Sequence, residues 1–232
     1  MAERPEDLGD TETTYQLPRL DIVRHRCRTE EPLGYGLFGA VTVSATEMHD
    51  VKRATAAARA GALADMVLGD DEPWLVWCDT NYEADEIMRR LGRAAVEVRG
   101  SDSVEEKEAR LYAFVDRSAR VLVTKPSIAG HGLNFQHCAR MAFVGRTFSY
   151  ESWYQAVRRC WRFGQSRDVQ VHLIVADGED AIGRVLDRKG EDHASMKAEM
   201  VAAMRRNVRR EQRGMMAYEP KCEGRLPRWL CV

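Results

Sequence analysis

From Trp74 to Val175 short apolar runs alternate with stretches of helical period, and this alternation constrains the fold more than any other feature of the sequence. Residues 74–78 (WLVWC) read as a buried strand. Ala84, Ile87, Met88 and Leu91 then recur at i, i+3, i+4 and i+7, the stripe of an amphipathic helix. After a short strand at 95–98, Ser103 and Glu106 have the spacing of a capping box that opens a helix through Val115. Val104, Leu111, Phe114 and Val115 form its expected apolar side. Residues 120–124, 141–144 and 169–175 read as further strands, with a helix over 150–162 between the last two. Strands separated by helices of this length need right-handed crossovers, so a mostly parallel sheet covered on both faces is expected. Ligands of such sheets sit beyond the carboxyl ends of the strands, which directs attention to the segments after Cys78, Val98, Thr124, Val144 and Val175.

The flanks read differently. Residues 1–45 mix Pro, Gly and charged residues without a persistent period and are expected to be an arm or linker. An alanine-rich helix is expected over 49–68, stopped by the Gly69 to Pro73 stretch. A last helical stretch over 180–213 bends near Gly190; Met196, Met200, Val201 and Met204 dock it, and its arginines form a solvated face. The division is therefore an arm at 1–45, an α/β domain at 46–178, a helical extension at 179–216 and a tail at 217–232. Lys and Arg number 35 against 36 Asp and Glu, so any attraction to nucleic acid must come from local clusters. No apolar run approaches the roughly 20 residues that cross a bilayer, which argues against a membrane role. The six cysteines form no CxxC pair and no signal-peptide pattern opens the chain, so a reduced, cytoplasmic setting is expected.

Three segments carry candidate chemistry. The strongest is Gln155-Ala-Val-Arg158-Arg159-Cys-Trp-Arg162-Phe-Gly-Gln165. On a helix, Gln155, Arg159 and Arg162 fall within about 60° of one another, opposite Trp153, Val157 and Cys160. Two guanidiniums held side by side repel, and a polyanion relieves that repulsion; arginine suits the task because its planar fork binds phosphate oxygens in pairs. The second segment runs from Val121 through Thr124, Lys125, Ser127, Gly130 and Gly132 to Asn134 and Phe135, a strand entering a glycine-bearing loop whose amides can turn toward an anion. The third comprises the end of the 74–78 strand at Cys78, Asp79 and Thr80, with the turn at Gly100 and Ser101 before the Ser103 helix. Free amides at that helix start suit a phosphate, although Glu105 and Glu106 oppose one. His131, His137 and Cys138 fit no common zinc spacing, so no metal site is expected. Cys78 lies beside Val76 and Trp77, where a thiol is an inert small apolar group rather than a nucleophile.

The Q-A-x-x-R-x-x-R-x-G-Q pattern resembles motif VI of the Swi/Snf-like branch of superfamily-two helicases, especially bacteriophage-borne members. The glycine loop is similar to their motif V, one residue shorter than usual, and the 74–81 segment to their motif IV. The three occur in family order over residues 74–176. The resemblance implies a RecA-like, P-loop NTPase-type domain and, within it, the second motor lobe of an ATP-dependent helicase or translocase. It implies that Arg162 is an arginine finger on the γ-phosphate of ATP-Mg²⁺ and Arg159 its companion, with Gly130, Gly132, Asn134 and Gln155 on the nucleotide side. It also implies that Cys78, Asp79, Gly100, Ser101, Thr124, Lys125 and Ser127 face the backbone of DNA or RNA. Arg158 stands where the family usually has an acidic residue.

A complete motor also needs G-x-x-x-x-G-K-[ST] and an acidic pair, and neither occurs in these 232 residues. Residues 1–45 resemble the stretch between the two lobes of the phage helicases, as if the chain began partway through a longer protein. The expectation is a half-enzyme, silent alone, whose partner is an ATP-binding lobe on another chain. The alternative is a lobe that binds nucleic acid or protein without any hydrolysis.

Overall fold

The computed structural model describes residues 17–27, 45–129, 133–145 and 149–176, together with positions 188, 192, 195–196 and 198–203, which are helical. Strands β1 (Leu20–Cys27), β2 (Trp74–Cys78), β3 (Ala95–Glu97), β4 (Val121–Thr124), β5 (Arg140–Val144) and β6 (Val169–Ala176) form one sheet in the order β1-β6-β5-β2-β4-β3. Every pairing is parallel. Between them run the helices α1 (Ala45–Leu68), α2 (Asn81–Leu91), α3 (Val104–Val115), α4 (Pro126–Ala129) and α5 (Tyr150–Val157). This is a RecA-like α/β fold, as the alternation of strand and helix required.

Central strands β2 and β4 are buried along their whole length, and their side chains feed two apolar cores. Val76, Cys78, Val123 and Val144 point to the α1 and α2 side, where Leu63, Val67, Ile87 and Leu91 meet them. Leu75, Trp77, Leu122 and Phe143 point to the other side, against Phe114, Phe135, Ala156 and Val157. Burying both faces of a parallel sheet explains why these strands read as continuous apolar runs rather than alternating ones.

Four expectations need correction. Leu20–Cys27, inside the supposed arm, is an edge strand whose whole length pairs with β6; its ladder bonds and Cys27, not a visible apolar pattern, hold it there. Val104 and Val115 are exposed, so the apolar stripe of α3 narrows to Phe114 and part of Leu111. Met196 and Met200 are exposed as well, so they do not supply the expected docking side; Val201 is half-buried, and Met204 and most of the 180–213 stretch lie outside the described residues. The helix expected over 150–162 ends at Val157, after which the chain continues in tight turns, with Arg159 N–H donating to the Ala156 carbonyl and Cys160 N–H to that of Val157. The capping box at Ser103 and Glu106 forms as its spacing requires.

Candidate functional site

Helix α5 starts beyond the carboxyl end of β5 and runs back across the sheet, because β6 is parallel to β5 and must start at the opposite end. The turns after α5 therefore lie by the amino ends of β5 and β6, where the buried Gln165 amide donates to the Cys138 carbonyl at 3.0 Å. The candidate residues consequently divide into two groups, one here and one at the carboxyl ends of β2 and β4.

In the first group the motif VI and motif V segments are stitched together. The half-buried Arg159 guanidinium donates to the carbonyl of Leu133 at 3.1 Å and to the carbonyl and side-chain oxygens of Gln155 at 3.0 and 3.4 Å. In return Phe135 N–H donates to the Arg159 carbonyl at 3.0 Å. Asn134, exposed beside them, accepts from Gln136 N–H. Arg159 titrates below the usual arginine range because of burial, and next because Arg162 and Arg158 add like charge. The Arg162 side chain has no hydrogen bond or ion pair among the described residues. Arg158 points elsewhere, its guanidinium 5.2 Å from the Trp161 ring centroid and 5.8 Å from that of Phe163. The clustering of Gln155, Arg159 and Arg162 thus arises from turns after a short helix rather than from one long helical face. Gly130 and Gly132, expected on the nucleotide side, lie outside the described residues.

In the second group exposure varies. Asp79, Gly100, Ser101 and Ser127 reach the surface and Lys125 is half-buried. Cys78 and Thr124 do not: both are buried, and the Thr124 hydroxyl donates to the Val98 carbonyl at 3.2 Å. Burial, followed by Glu83, drives the Cys78 thiol well up, so it stays protonated. The expectation that these two side chains touch nucleic acid is corrected to a packing role: Cys78 points to the α1 and α2 face and Thr124, in register with Trp77, to the other, and both faces are covered. The start of α3 is also less open than its sequence implies, because Glu106 accepts from Ser103 N–H and Asp102 from Arg99 N–H. Arg99 is itself held by Glu97 and Asp85.

Four residues escaped the sequence reading. Arg59 and Glu83 form an ion pair at 2.8 Å with both side chains fully buried. Lys52, 2% exposed in its side chain, pairs with Asp79 at 2.8 Å. Gly145, at φ +83°, ends β5 against this cluster. The one available signal was Thr80-x-x-Glu83, a capping box that the structure forms. Lys52 and Arg59 sat unremarked in an alanine-rich helix. Elsewhere, a cleft of about 500 Å³ at the amino ends of the strands, lined by Glu72, Arg120, His137 and Arg167 among others, holds none of the expected site residues.

Residues 59–164 match the family model of the helicase conserved C-terminal domain. That helicase-type segment contains every element from the end of α1 to α5. Among solved structures the chain is similar to the C-terminal part of the Fun30 ATPase domain, with a TM-score of 0.50 at 16% identity over 56% of this chain. The match takes in 45% of that solved chain, so this chain spans under half of its length. A comparison with curated protein sequences returns no match. Among the described residues no helix is long and apolar enough to cross a membrane.

Proposed function

We propose that this chain is the second motor lobe of a Swi/Snf-like, nucleic-acid-dependent ATPase, working in the cytoplasm with a lobe that carries the phosphate-binding loop. The observation that supports this most is the pair Arg159 and Arg162. One guanidinium is fixed on the Leu133 carbonyl and Gln155, and among the described residues the other has no partner and no carboxylate pairs with either. Two like charges kept together at a cost in burial fit an anionic ligand that arrives from outside. A triphosphate presented by a facing lobe has that chemistry.

On this reading Arg162 is the arginine finger, stabilising negative charge that spreads over the γ-phosphoryl oxygens as the bond to the leaving group breaks. Arg159 aligns it and ties it to the motif V segment, so that a shift at Leu133 to Phe135 is felt at the arginine. Mg²⁺ would come with the triphosphate on the facing lobe, whose phosphate-binding loop and acidic pair hold it. The half-buried Asp79 and Lys125 and the exposed Ser127 mark the surface that meets a DNA or RNA backbone, through phosphates and without reading bases. The kinship with phage-borne motors rests on the sequence resemblance.

The test is reconstitution. The chain alone hydrolyses no ATP above background with or without DNA, and joined to a lobe bearing the G-x-x-x-x-G-K-[ST] loop it gives DNA-stimulated turnover. A purification-resistant ATPase in the isolated chain would sink the proposal, as would an assembled protein that binds DNA and never hydrolyses ATP. The second outcome would leave a binding lobe without hydrolysis.

A further inference from the structure

The most unusual chemistry outside the arginine pair is the charge network beneath the carboxyl ends of β2 and β5. Arg59 and Lys52 lie seven residues apart on one face of α1, the face that otherwise buries Val51, Ala56, Ala60 and Leu63. Arg59 donates to Glu83 Oε1 at 2.8 Å and, through its other terminal nitrogen, to the Lys52 carbonyl at 2.6 Å. The second carboxylate oxygen of Glu83 accepts from the backbone amides of Asp79 and Thr80, each at 3.0 Å. Lys52 closes the network by donating to Asp79 Oδ2 at 2.8 Å. At the end of β5 a Cβ on Gly145 would overlap the Arg59 guanidinium and come within 2.6 Å of Glu83, and the φ of +83° already favours glycine.

Fold stability alone does not explain this arrangement, because taking an ion pair out of water costs about as much as its attraction returns, and apolar residues of the same size often do as well. Apolar residues cannot accept two backbone amides, however, nor can they cancel a neighbouring negative charge. Both ends of the network converge on one turn. Asp79 has a side chain 36% exposed at the end of a central strand, where an uncompensated carboxylate would repel phosphate. We propose that Lys52, Arg59 and Glu83 are positioning residues: Glu83, oriented by Arg59, holds the Asp79 and Thr80 turn in the shape that a phosphate backbone meets, and Lys52 masks the charge of Asp79. This rests on the reading that the end of β2 faces nucleic acid. It also changes the role of Asp79 from phosphate ligand to neutralised neighbour.

The experiment uses the full chain and a short fluorescent DNA duplex at low salt. Arg59→Met/Glu83→Leu replaces the buried pair by apolar side chains and leaves no lone buried charge, so the double variant folds, with a melting temperature lowered by the loss of the Asp79 and Thr80 amide bonds. DNA affinity falls about tenfold, a fraction of what two hydrogen bonds to a charged group are worth, because their loss reaches DNA only through the shape of the turn. Backbone amide exchange at Asp79 and Thr80 speeds up. A stable double variant that binds DNA within about twofold of wild type overturns the inference. Should that variant fail to fold, Lys52→Met and Lys52→Met/Asp79→Asn decide: the first weakens binding several-fold and the second restores it, whereas a loss that Asp79→Asn does not repair overturns the masking role. If the wild-type chain binds no DNA, the proposed function fails, and unchanged amide exchange in Arg59→Met/Glu83→Leu then overturns the positioning role on its own.

Discussion

The charges around Arg59 and the arginines after α5 use the same guanidinium chemistry in opposite settings. Arg59 is fully buried, with a carboxylate and a carbonyl as partners and a glycine clearing space beside it. Arg162 is half-exposed next to a second guanidinium and has no counter-charge among the described residues. A buried charge must be paired within the fold or it will neutralise or unfold it, so Arg59 has its counter-charge built in. A partly open charge tolerates a missing partner because water solvates it, so Arg162 can wait for a ligand. Where the counter-charge resides therefore decides which arginine is satisfied inside the fold and which is left open to a ligand.

Substitutions at four positions sharpen or break this comparison. In the assembled two-lobe enzyme Arg162→Ala should lower ATP turnover by about 10³ to 10⁵, roughly 4 to 7 kcal/mol, and Arg162→Lys nearly as much because lysine lacks the planar fork. Its effect on stability should stay within about 0.5 kcal/mol. Steady-state kinetics beside chemical denaturation reads both, and a variant keeping more than about a tenth of wild-type turnover would return Arg162 to an ordinary surface role.

The reverse pattern is expected for Arg59→Met alone, which leaves the Glu83 carboxylate buried without its guanidinium. A loss of about 3 to 5 kcal/mol should appear as a lower denaturant midpoint at unchanged slope. A change below about 1 kcal/mol would mean that Glu83 finds another partner or takes up a proton.

His172 provides a smaller test of how position sets charge. Burial, followed by His25 and Arg140, lowers its pKa from 6.5 to about 4, and its ring stacks on that of His25 at 5.1 Å. The native state resists protonation, so the unfolded chain binds more protons between those two values. Its stabilising effect is complete above about pH 6.5 and is lost as pH falls toward 4. Discounted for its half-open setting, the effect is about 1 to 2 kcal/mol. In thermal melts across that window His172→Leu should show a shallower decline than wild type, and parallel declines would contradict the shift.

The smallest effect belongs to Arg158→Ala, which removes a stack on Trp161 and Phe163 worth about 1 kcal/mol or less. Turnover should fall far less than for Arg162, and an equal fall would show that the two arginines act as one unit.

Much of this was legible before any coordinates. The strands and the capping box at Ser103 follow from period and spacing, whereas Arg159 and Arg162 come after the end of α5, in turns that no helical period describes. Other parts were hidden for physical reasons. Strand β1 is half-exposed at a sheet edge, and ladder bonds formed by the backbone leave little trace in side-chain pattern. The α5 helix stops at Val157 although the sequence beyond it keeps a helical stripe, since Phe135 and Gln165 supply tertiary partners that favour turns. Lys52 and Arg59 look like solvated charges in an alanine-rich helix, and Glu83 looks like a cap alone.

The sequence by itself determined the parallel α/β architecture and the residue types able to meet an anion, because both depend on local order along the chain. Only the tertiary structure decided which charges are spent within the fold and which remain available. That choice depends on what lies within about 3 Å across the chain. Arg59 and Glu83 are 24 residues apart, Arg159 and Leu133 are 26 apart, and neither distance can be read from a local pattern.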